Sequence, residues 1–599
     1  MQTTPAAHPR AWQSWPCITA LAALLLSAGA VLADDGTTTE RGDRAAEKIR
    51  AAEAVDSIAE RNRLIDDALA ILDDLIDSPD ADTEVIARSR FDRLLALRAR
   101  ESTAAVVAEW EALLAEGFEP PAWVTIAAAD AYLDQRRPRH ALELYQRVLA
   151  DDPEHRATRQ AMYWAYLESE DFRRAIELTD ELVEEADPGS PEHQQARIAA
   201  AMVRAYANRL TEAQQRLEAL VDDHPDNREA VRSLATVYRW RGWPHRAMER
   251  LEPLLAEAPE HSGNRLLHAG LLDDLGRYTQ AGDALAQLHA DHPEHRHVQR
   301  DWAYWQERRR WAISLGGEYG DSDGVQEFGT RDRSWDVRLD APWIGSHLQP
   351  YARIDYADAR FPEGESDYDR YGVGINYRRN RHHIQLEGHA NRSGPSQAGV
   401  SAGYDWQVGD HWSFATRYES FSTDVPLRGR LQGLDGWKAE AAARWQAHES
   451  LSARIGVSRL AISDGNVRSA GLASVRHRIH NSAHHVTDGT LDAYYSRASQ
   501  SGGPYYNPES DASLAYLVQH DWLTWRRYER SMTQRFVLGA GAYWQEDIGT
   551  NAIGLARYEH LWQLSQRWFL HYGVGAASRV YDGDRETRID GQIRLQGVF

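Results

Sequence analysis

The spacing of apolar residues along the chain changes once, near Trp311. Before that point apolar residues recur every three to four positions, which is the period of an amphipathic helix. After it, apolar and polar residues alternate, a pattern typical of strands whose two faces meet different surroundings. The last segment shows this most clearly, with one face made of Ile589, Gly591, Ile593, Leu595, Gly597 and Phe599. The pattern predicts a helical half, residues 34–310, followed by a β-strand half, residues 311–599.

The helical half contains a repeat of 34 residues. One alanine and one proline recur at this step in successive units: Ala213, Ala247, Ala281, Pro225, Pro259 and Pro293. A period of this length resembles the tetratricopeptide repeat (TPR), in which the alanine lies where two helices cross. We therefore predict an N-terminal TPR α-solenoid with a concave face that holds a partner; a spacer without a ligand is the alternative. The repeat register places four residues in this groove: Asp130, Trp164, Arg239 and Asp273.

Four histidines near the end of the repeats could indicate a metal site: His289, His292, His295 and His297. However, the segment DHPEH at 291–295 resembles the segment DDPEH at 151–155, so both are interpreted as linkers between repeats. The chemistry of helix ends explains histidines at such positions. No metal and no cofactor is therefore predicted.

The second half divides into about sixteen alternating segments between Trp311 and Phe599. Nearly every segment has a fully polar face opposite its apolar face, and Tyr and Trp cluster at the segment ends. These features are typical of an outer-membrane barrel with lipid outside, water inside and aromatic girdles at both interfaces. Short connections such as Gly409-Asp410 alternate with long ones such as 422–435 and 499–510. We predict a 16-stranded antiparallel outer-membrane β-barrel; a soluble β-sandwich is the alternative.

Residues 1–33 are expected to be a secretory signal peptide. Arg10 precedes an apolar run from Ile18 to Leu32, and small residues surround Ala33. A short membrane anchor is the alternative. The single cysteine, Cys17, lies inside this segment, so the mature chain would have no thiol for disulfides, nucleophilic catalysis or metal binding.

The net charge of -22 argues against a nucleic-acid partner, because binding to phosphate requires a basic surface. Most of the acidic excess lies in the helical half, and the β-strand half is nearly balanced.

Catalytic motifs are weak. The segment GVSAG at 399–403 matches the G-x-S-x-G pattern, but a nucleophile elbow needs a strand followed by a helix. Here the motif lies within an alternating strand, so the chain is not expected to be an enzyme.

Several segments of the second half carry a resemblance to a known family: DVPLR at 424–428, YYNP at 505–508, YWQ at 543–545, RYE at 557–559 and YDG at 581–583. Together with a TPR region that precedes a sixteen-stranded barrel, they resemble the poly-β-1,6-N-acetyl-D-glucosamine export porin (PgaA) family. The resemblance covers the barrel well and the repeats by type only.

The resemblance implies that the chain exports partly de-N-acetylated poly-N-acetylglucosamine across the outer membrane during biofilm formation. It further implies that the repeats recruit the polymer and a periplasmic polysaccharide de-N-acetylase, and that a monomeric barrel contacts outer-membrane lipids. Such a polymer carries ammonium groups, which an acidic protein attracts. By strand alternation, five acids should face the lumen and contact the polymer: Asp336, Asp340, Asp355, Glu387 and Asp590. Pairing of each acid with a neighbouring arginine is the alternative.

Three other functions stay open at this point. A cellulose-type exporter would carry a neutral polymer, to which an acidic path brings no advantage. An assembly scaffold would use the barrel only as an anchor for the repeats. A barrel enzyme would require two acids that converge in the structure.

Overall fold

The computed structural model describes residues 38–55, 57–392 and 397–599. The predicted signal peptide, residues 1–33, lies outside these described residues. The described chain forms two compact units. The helical unit contains the described residues up to Tyr238 together with Ala247–Gly270 and Asp283–Trp302, and the barrel unit contains Arg239–Arg246, Leu271–Gly282 and Ala303–Phe599.

Fifteen helices precede the strands in the described residues: α1 (Thr38–Glu53), α2 (Ile58–Ile76), α3 (Thr83–Ala99), α4 (Thr103–Ala115), α5 (Ala122–Asp134), α6 (Pro138–Asp151), α7 (Arg156–Glu168), α8 (Phe172–Glu185), α9 (Pro191–Tyr206), α10 (Leu210–Asp223), α11 (Arg228–Trp240), α12 (Pro244–Glu257), α13 (Ser262–Asp274), α14 (Tyr278–Asp291) and α15 (Arg296–Glu307). No helix among the described residues has the length and apolar character needed to cross a membrane.

The 34-residue repeat has a direct structural basis. The alanines at the repeat positions are completely buried: Ala141, Ala175, Ala213, Ala247 and Ala281. A small side chain at these positions allows two helices to approach closely, as the sequence pattern predicts. The first helix of successive repeats also ends at a residue with positive φ: Arg136, Glu170, Asn208, Gly242 and Gly276. The left-handed conformation stops each helix and reverses the chain into the next one.

The start of α15 lies against the first repeats of the helical unit. Arg296 donates to the Leu133 carbonyl at 3.1 Å, at the end of α5, and to Glu168 at 2.7 Å, at the end of α7. The Glu168 side chain is only 4% exposed. These contacts join positions more than a hundred residues apart, so the last described helix of the repeat region closes the helical unit upon itself.

Sixteen strands follow in the described residues: β1 (Ala312–Ser322), β2 (Arg331–Asp340), β3 (Leu348–Phe361), β4 (Gly364–Arg379), β5 (His382–Arg392), β6 (Gln397–Val408), β7 (Trp412–Glu419), β8 (Gly436–His448), β9 (Leu451–Ile462), β10 (Val467–Asn481), β11 (His485–Ala498), β12 (Ser510–Arg527), β13 (Arg530–Gln545), β14 (Gly549–Gln563), β15 (Trp568–Tyr581) and β16 (Asp584–Val598). A one-turn helix, α16 (Leu427–Arg430), lies between β7 and β8.

The strands form one closed antiparallel barrel in which each strand pairs with its neighbours in sequence, and β1 pairs with β16. The closing pair begins where Ala312 faces Val598 and ends where Ser322 faces Arg588. Short hairpin turns hold the register. In the turn between β4 and β5, Asn380 and Arg381 both have positive φ, the geometry that matches the twist of the paired strands. The predicted TPR solenoid and 16-stranded barrel are both confirmed.

Substituting Arg296 tests the closure of the helical unit. In Arg296→Ala the Glu168 carboxylate stays buried without its cation, which costs about 3 kcal/mol for pairs of this kind. We expect the backbone amides of residues 130–135 and 296–302 to exchange hydrogen much faster, as measured by mass spectrometry on the full chain. Arg173→Ala is the control, because Arg173 forms an exposed pair with Glu177 and should change exchange little. Equal protection in wild type and Arg296→Ala would contradict this account.

Asp134 should give the helical unit a pH-dependent stability. Burial raises the pKa of Asp134 from 3.8 to about 7, although Arg296 acts to lower it. The pKa of Asp134 is higher in the folded state than in the unfolded state, so protonation of this carboxyl stabilises the fold. This stabilisation is complete below about pH 4 and is lost as the pH rises to 7. We expect Asp134→Asn to flatten the dependence of the urea midpoint on pH in this range, measured by circular dichroism at the helix band. The exposed Glu143→Gln should leave the slope unchanged, and an unchanged slope in Asp134→Asn would refute the assignment.

Candidate functional site

The two faces of the barrel wall differ in chemistry. Large apolar side chains that are more than half exposed alternate along the strands with polar ones: Val373, Leu386, Val400, Ile455, Val457, Leu538, Val574, Ile589 and Ile593. A belt of this kind contacts lipid, so the opposite, polar face lines the lumen. Aromatic rings stack near the strand ends, where Trp412 lies over Phe414 with ring centroids 6.2 Å apart.

All five predicted lumen acids lie on the polar face, and each is paired with an arginine. Asp336 lies 3.1 Å from Arg594, across the β1–β16 closure. Asp340 lies 2.8 Å from Arg338 on its own strand. The fold thus places these acids on the predicted wall, but it neutralises their charges locally.

Asp355 and Glu387 share one arginine. Arg353 Nε lies 3.0 Å from Asp355 and 3.3 Å from Glu387. Tyr351 also donates its hydroxyl to Glu387 at 2.9 Å. The Glu387 side chain is 1% exposed, so it presents almost no surface to a passing molecule.

Asp590 belongs to a larger network across the barrel closure. It pairs with Arg557 on β14, and Arg588 lies 3.4 Å away on its own strand. Arg588 in turn lies 2.6 Å from Asp332 and 3.0 Å from Glu318. Acids and arginines therefore alternate around this part of the wall, and the five predicted acids do not form an unpaired acidic track.

The long connections pack against one another at one end of the barrel. Arg428 on α16 donates to Glu363 at 2.6 Å and to Gln326 at 3.3 Å, in two other connections. In the 499–509 connection, the hydroxyl of Tyr505 donates to Asp464 at 2.9 Å and accepts from Asn466 at 3.0 Å. The resemblance motifs at 424–428 and 505–508 thus lie in this packed layer.

Arg370 is a buried residue that the sequence did not single out. Its guanidinium is 0% exposed, pairs with Glu419, and donates to Asn391 at 2.9 Å and to the Phe421 carbonyl at 2.8 Å. It fastens the start of the connection that carries α16 to the inner wall. Its inward direction fits the alternation of the strand, but its partners lie on strands whose register the sequence does not reveal.

The four predicted groove residues of the repeats have different surroundings. Trp164 is 7% exposed and packs against Tyr163 and Tyr206, so it lies in the helical core. Asp130 pairs with Arg98.

The other two predicted groove residues belong to the barrel unit, where Arg239 lies 2.5 Å from Asp274 and Asp273 lies 2.5 Å from Arg308. Binding of a partner at these positions stays a prediction.

The histidines of the last linker are packed inside the helical unit. His292 and His297 are buried, and His292 Nδ1 lies 3.5 Å from Glu101. Burial lowers the pKa of His297 well below its usual value, which keeps the ring neutral. Among the described residues, no group of three or more His, Cys, Asp or Glu side chains has the arrangement of a metal site.

Comparison with known proteins matches both parts of the chain. The family model "PgaA membrane beta barrel domain" matches residues 309–599, and a "Tetratricopeptide repeat" model matches residues 132–197. Two curated relatives are each named "Poly-beta-1,6-N-acetyl-D-glucosamine export protein", from Escherichia coli K12 and Escherichia coli O157:H7. Each is 26% identical over 539 residues, which is 86% of this chain. The chain spans 66% of the length of these relatives.

Among solved structures, a "Bacterial polysaccharide outer membrane secretin" is 23% identical and aligns with a TM-score of 0.47. The alignment covers 49% of this chain and 99% of that one. The closed sixteen-stranded barrel, its lipid-facing belt and the matched domain together locate this protein in the outer membrane, with its repeats in the periplasm. Residues 309–599 are therefore similar in sequence to the PgaA membrane beta barrel domain, and residues 132–197 to a tetratricopeptide repeat.

Proposed function

We propose that this protein is a conduit that exports partly de-N-acetylated poly-β-1,6-N-acetyl-D-glucosamine across the outer membrane during biofilm formation. The observation that carries the proposal is a closed sixteen-stranded barrel with a polar inner wall, in a chain that is similar over 86% of its length to two export proteins. A barrel of this size can enclose a water-filled passage. The chain itself carries out no chemistry on the polymer.

The acidic charge of the helical half is proposed to attract the polymer. De-N-acetylated sugar units carry ammonium groups, and most of the acidic excess of the chain lies in the first 310 residues. A summed negative potential raises the local concentration of a cationic chain without a tight site. The lumen acids, each paired with an arginine, contribute less to this attraction than the sequence pattern suggests. Recruitment of the polymer is therefore assigned to the helical repeats.

The concave face of the repeats is proposed to bind a periplasmic polysaccharide de-N-acetylase. TPR solenoids typically hold partners on this face. Asp130, Arg239 and Asp273 remain the proposed contacts. A partner at this face would deliver newly de-N-acetylated polymer close to the protein that exports it.

Deletion of the gene tests the export function. We expect surface hexosamine polymer to fall to background while cell-associated polymer rises, because synthesis continues and the exit is lost. Both pools are measured in parallel with a hexosamine-specific lectin, on intact cells and on lysates. Re-expression of the full chain should restore the wild-type distribution.

The deletion strain also separates the export function from the alternatives. A scaffold function predicts that surface polymer persists in the deletion strain but loses its organisation. A cellulose-type exporter predicts loss of a glucan and unchanged hexosamine polymer. The first result contradicts export itself, and the second contradicts the proposed substrate.

Salt should weaken the capture of de-N-acetylated chains. We expect the purified full chain in detergent to bind glucosamine oligomers less tightly as sodium chloride is raised, because salt screens attraction between exposed charges. The fully N-acetylated oligomer of equal length is the matched control, since it is neutral and its binding should be insensitive to salt. Isothermal titration calorimetry measures both. Equal salt dependence for the two oligomers would refute electrostatic recruitment.

A further inference from the structure

Most charged side chains on the lumen wall have an opposite charge beside them, but three neighbouring positions do not. Arg444 on β8, Arg454 on β9 and Asp492 on β11 lie within 4.0 Å of no oppositely charged group in the part of the chain that the structure describes. Arg444 donates to the neutral Gln446, at 3.1 Å. Both arginines are exposed and Asp492 is half-buried. These side chains are therefore free to contact a molecule in the lumen.

Strand register places the three residues in a single row. Arg444 faces Arg454, Arg454 faces Ser474, and Ser474 faces Asp492. Adjacent strands lie about 4.8 Å apart, so the row is about 14 Å wide. Arg454 and Asp492 lie on strands that are two apart, about 10 Å from backbone to backbone.

Direct opposition of two arginines is unfavourable for the barrel itself, because like charges on facing strands repel. Many other arginines of the wall have acids as neighbours. Arg476 and Arg478, for example, both pair with Asp488. A repulsive pair without a neutralising neighbour contributes nothing to folding, and it is the arrangement expected of groups that bind a ligand.

The next row of the same wall is apolar and aromatic. Leu472 faces Tyr494 across β10 and β11. Leu472 is 39% exposed and lies over Gly456, whose flanking residues Ile455 and Val457 point outward to lipid. An exposed apolar surface inside a water-filled lumen is unfavourable unless something covers it. The apolar face of a sugar ring packs well on an aromatic ring and a leucine.

We propose that Arg444, Arg454, Ser474 and Asp492, with Leu472 and Tyr494, form a saccharide subsite on the lumen wall. The proposal rests on the function proposed above. The two guanidinium groups donate to acetamido carbonyl and hydroxyl oxygens of N-acetylated units. The Asp492 carboxylate accepts from the ammonium group of a de-N-acetylated unit. One row thus contacts both N-acetylated and de-N-acetylated units of a mixed chain. This contact surface lies on β8–β11 and does not include the five acids that the sequence pattern indicated.

Each contact is shallow, because the side chains are exposed and the row is open to the lumen. A row of exchangeable contacts suits a polymer that must move on, since a tight site would stall it. The subsite therefore guides and orients the chain and does not store it.

Saturation-transfer NMR on the full chain in detergent micelles tests the subsite with two probes, a β-1,6-linked N-acetylglucosamine trimer and its de-N-acetylated counterpart. We expect the double variant Arg444→Gln, Arg454→Gln to bind the N-acetylated trimer about tenfold more weakly, the loss that follows from hydrogen bonds to charged groups. We expect Asp492→Asn to weaken binding of the de-N-acetylated trimer selectively. Heat-modifiable migration on gels verifies that each variant is folded.

Matched controls come from the neighbouring wall. Arg417 and Asp405 also carry lumen charges, but they pair with each other at 2.7 Å. Arg417→Gln and Asp405→Asn each change the net charge by one unit, as Asp492→Asn does, and should leave binding of both trimers unchanged. If these controls weaken binding as strongly as the subsite variants, a general lumen potential replaces the subsite and the proposal is wrong.

The remaining outcomes separate the subsite from the export function. Wild-type binding of both trimers in all variants, together with loss of surface polymer on gene deletion, would overturn the subsite and leave export intact. Unchanged surface polymer on gene deletion would overturn export itself. Inorganic phosphate is a third probe, and broadening of its ³¹P resonance indicates binding. If phosphate binds wild type but not the arginine variant, and neither trimer binds, the arginines form an anion site and the saccharide subsite is wrong.

Discussion

Closure of the barrel is the constraint on which the rest of the structure depends. Inside a bilayer no water is available for the backbone, so every N–H and C=O must find a partner within the chain, and an open sheet edge is not tolerated. Pairing of β1 with β16 removes the last two edges. The same pairing brings Asp336 and Arg594 together, although they lie 258 positions apart. The charge pattern of the wall is therefore a consequence of closure, because ion pairs such as this one exist only once the ring is complete.

Paired charges determine what the lumen can offer a passing chain. An acid between arginines contributes a short-range dipole, and its long-range field is largely cancelled. This is the condition of Asp340 beside Arg338 and of Glu387 beside Arg353. A wall of this kind stays hydrated and does not trap a cation. Selectivity must then come from the few positions where charges are not cancelled, and the row from Arg444 to Asp492 is such a position.

The sequence predicted the strands well because lipid and water impose a period of two on every one of them. It predicted the inward direction of Asp355 and Asp590 for the same reason. It could not predict their partners, because a partner depends on register, and a slip of one residue reverses every face. In the helical half, the 34-residue step identified the buried alanines. It misplaced Trp164, because an apolar residue on a first helix fits the groove and the core equally well, and packing against Tyr206 decided for the core.

The helical half and the barrel are proposed to serve two different steps of transport, capture of the polymer and its passage. Capture from solution needs a field that acts over distance, and the helical half supplies it through unbalanced acidic charge. Passage needs weak contacts at close range, because each unit of the polymer must be released as readily as it is bound. An acidic lumen would attract a cationic chain and then hold it. A lumen whose charges are balanced can orient the chain without holding it, through one row of hydrogen-bond donors, one acceptor and a neighbouring apolar surface. The neutrality of the wall is therefore a requirement of transport and not a loss of affinity.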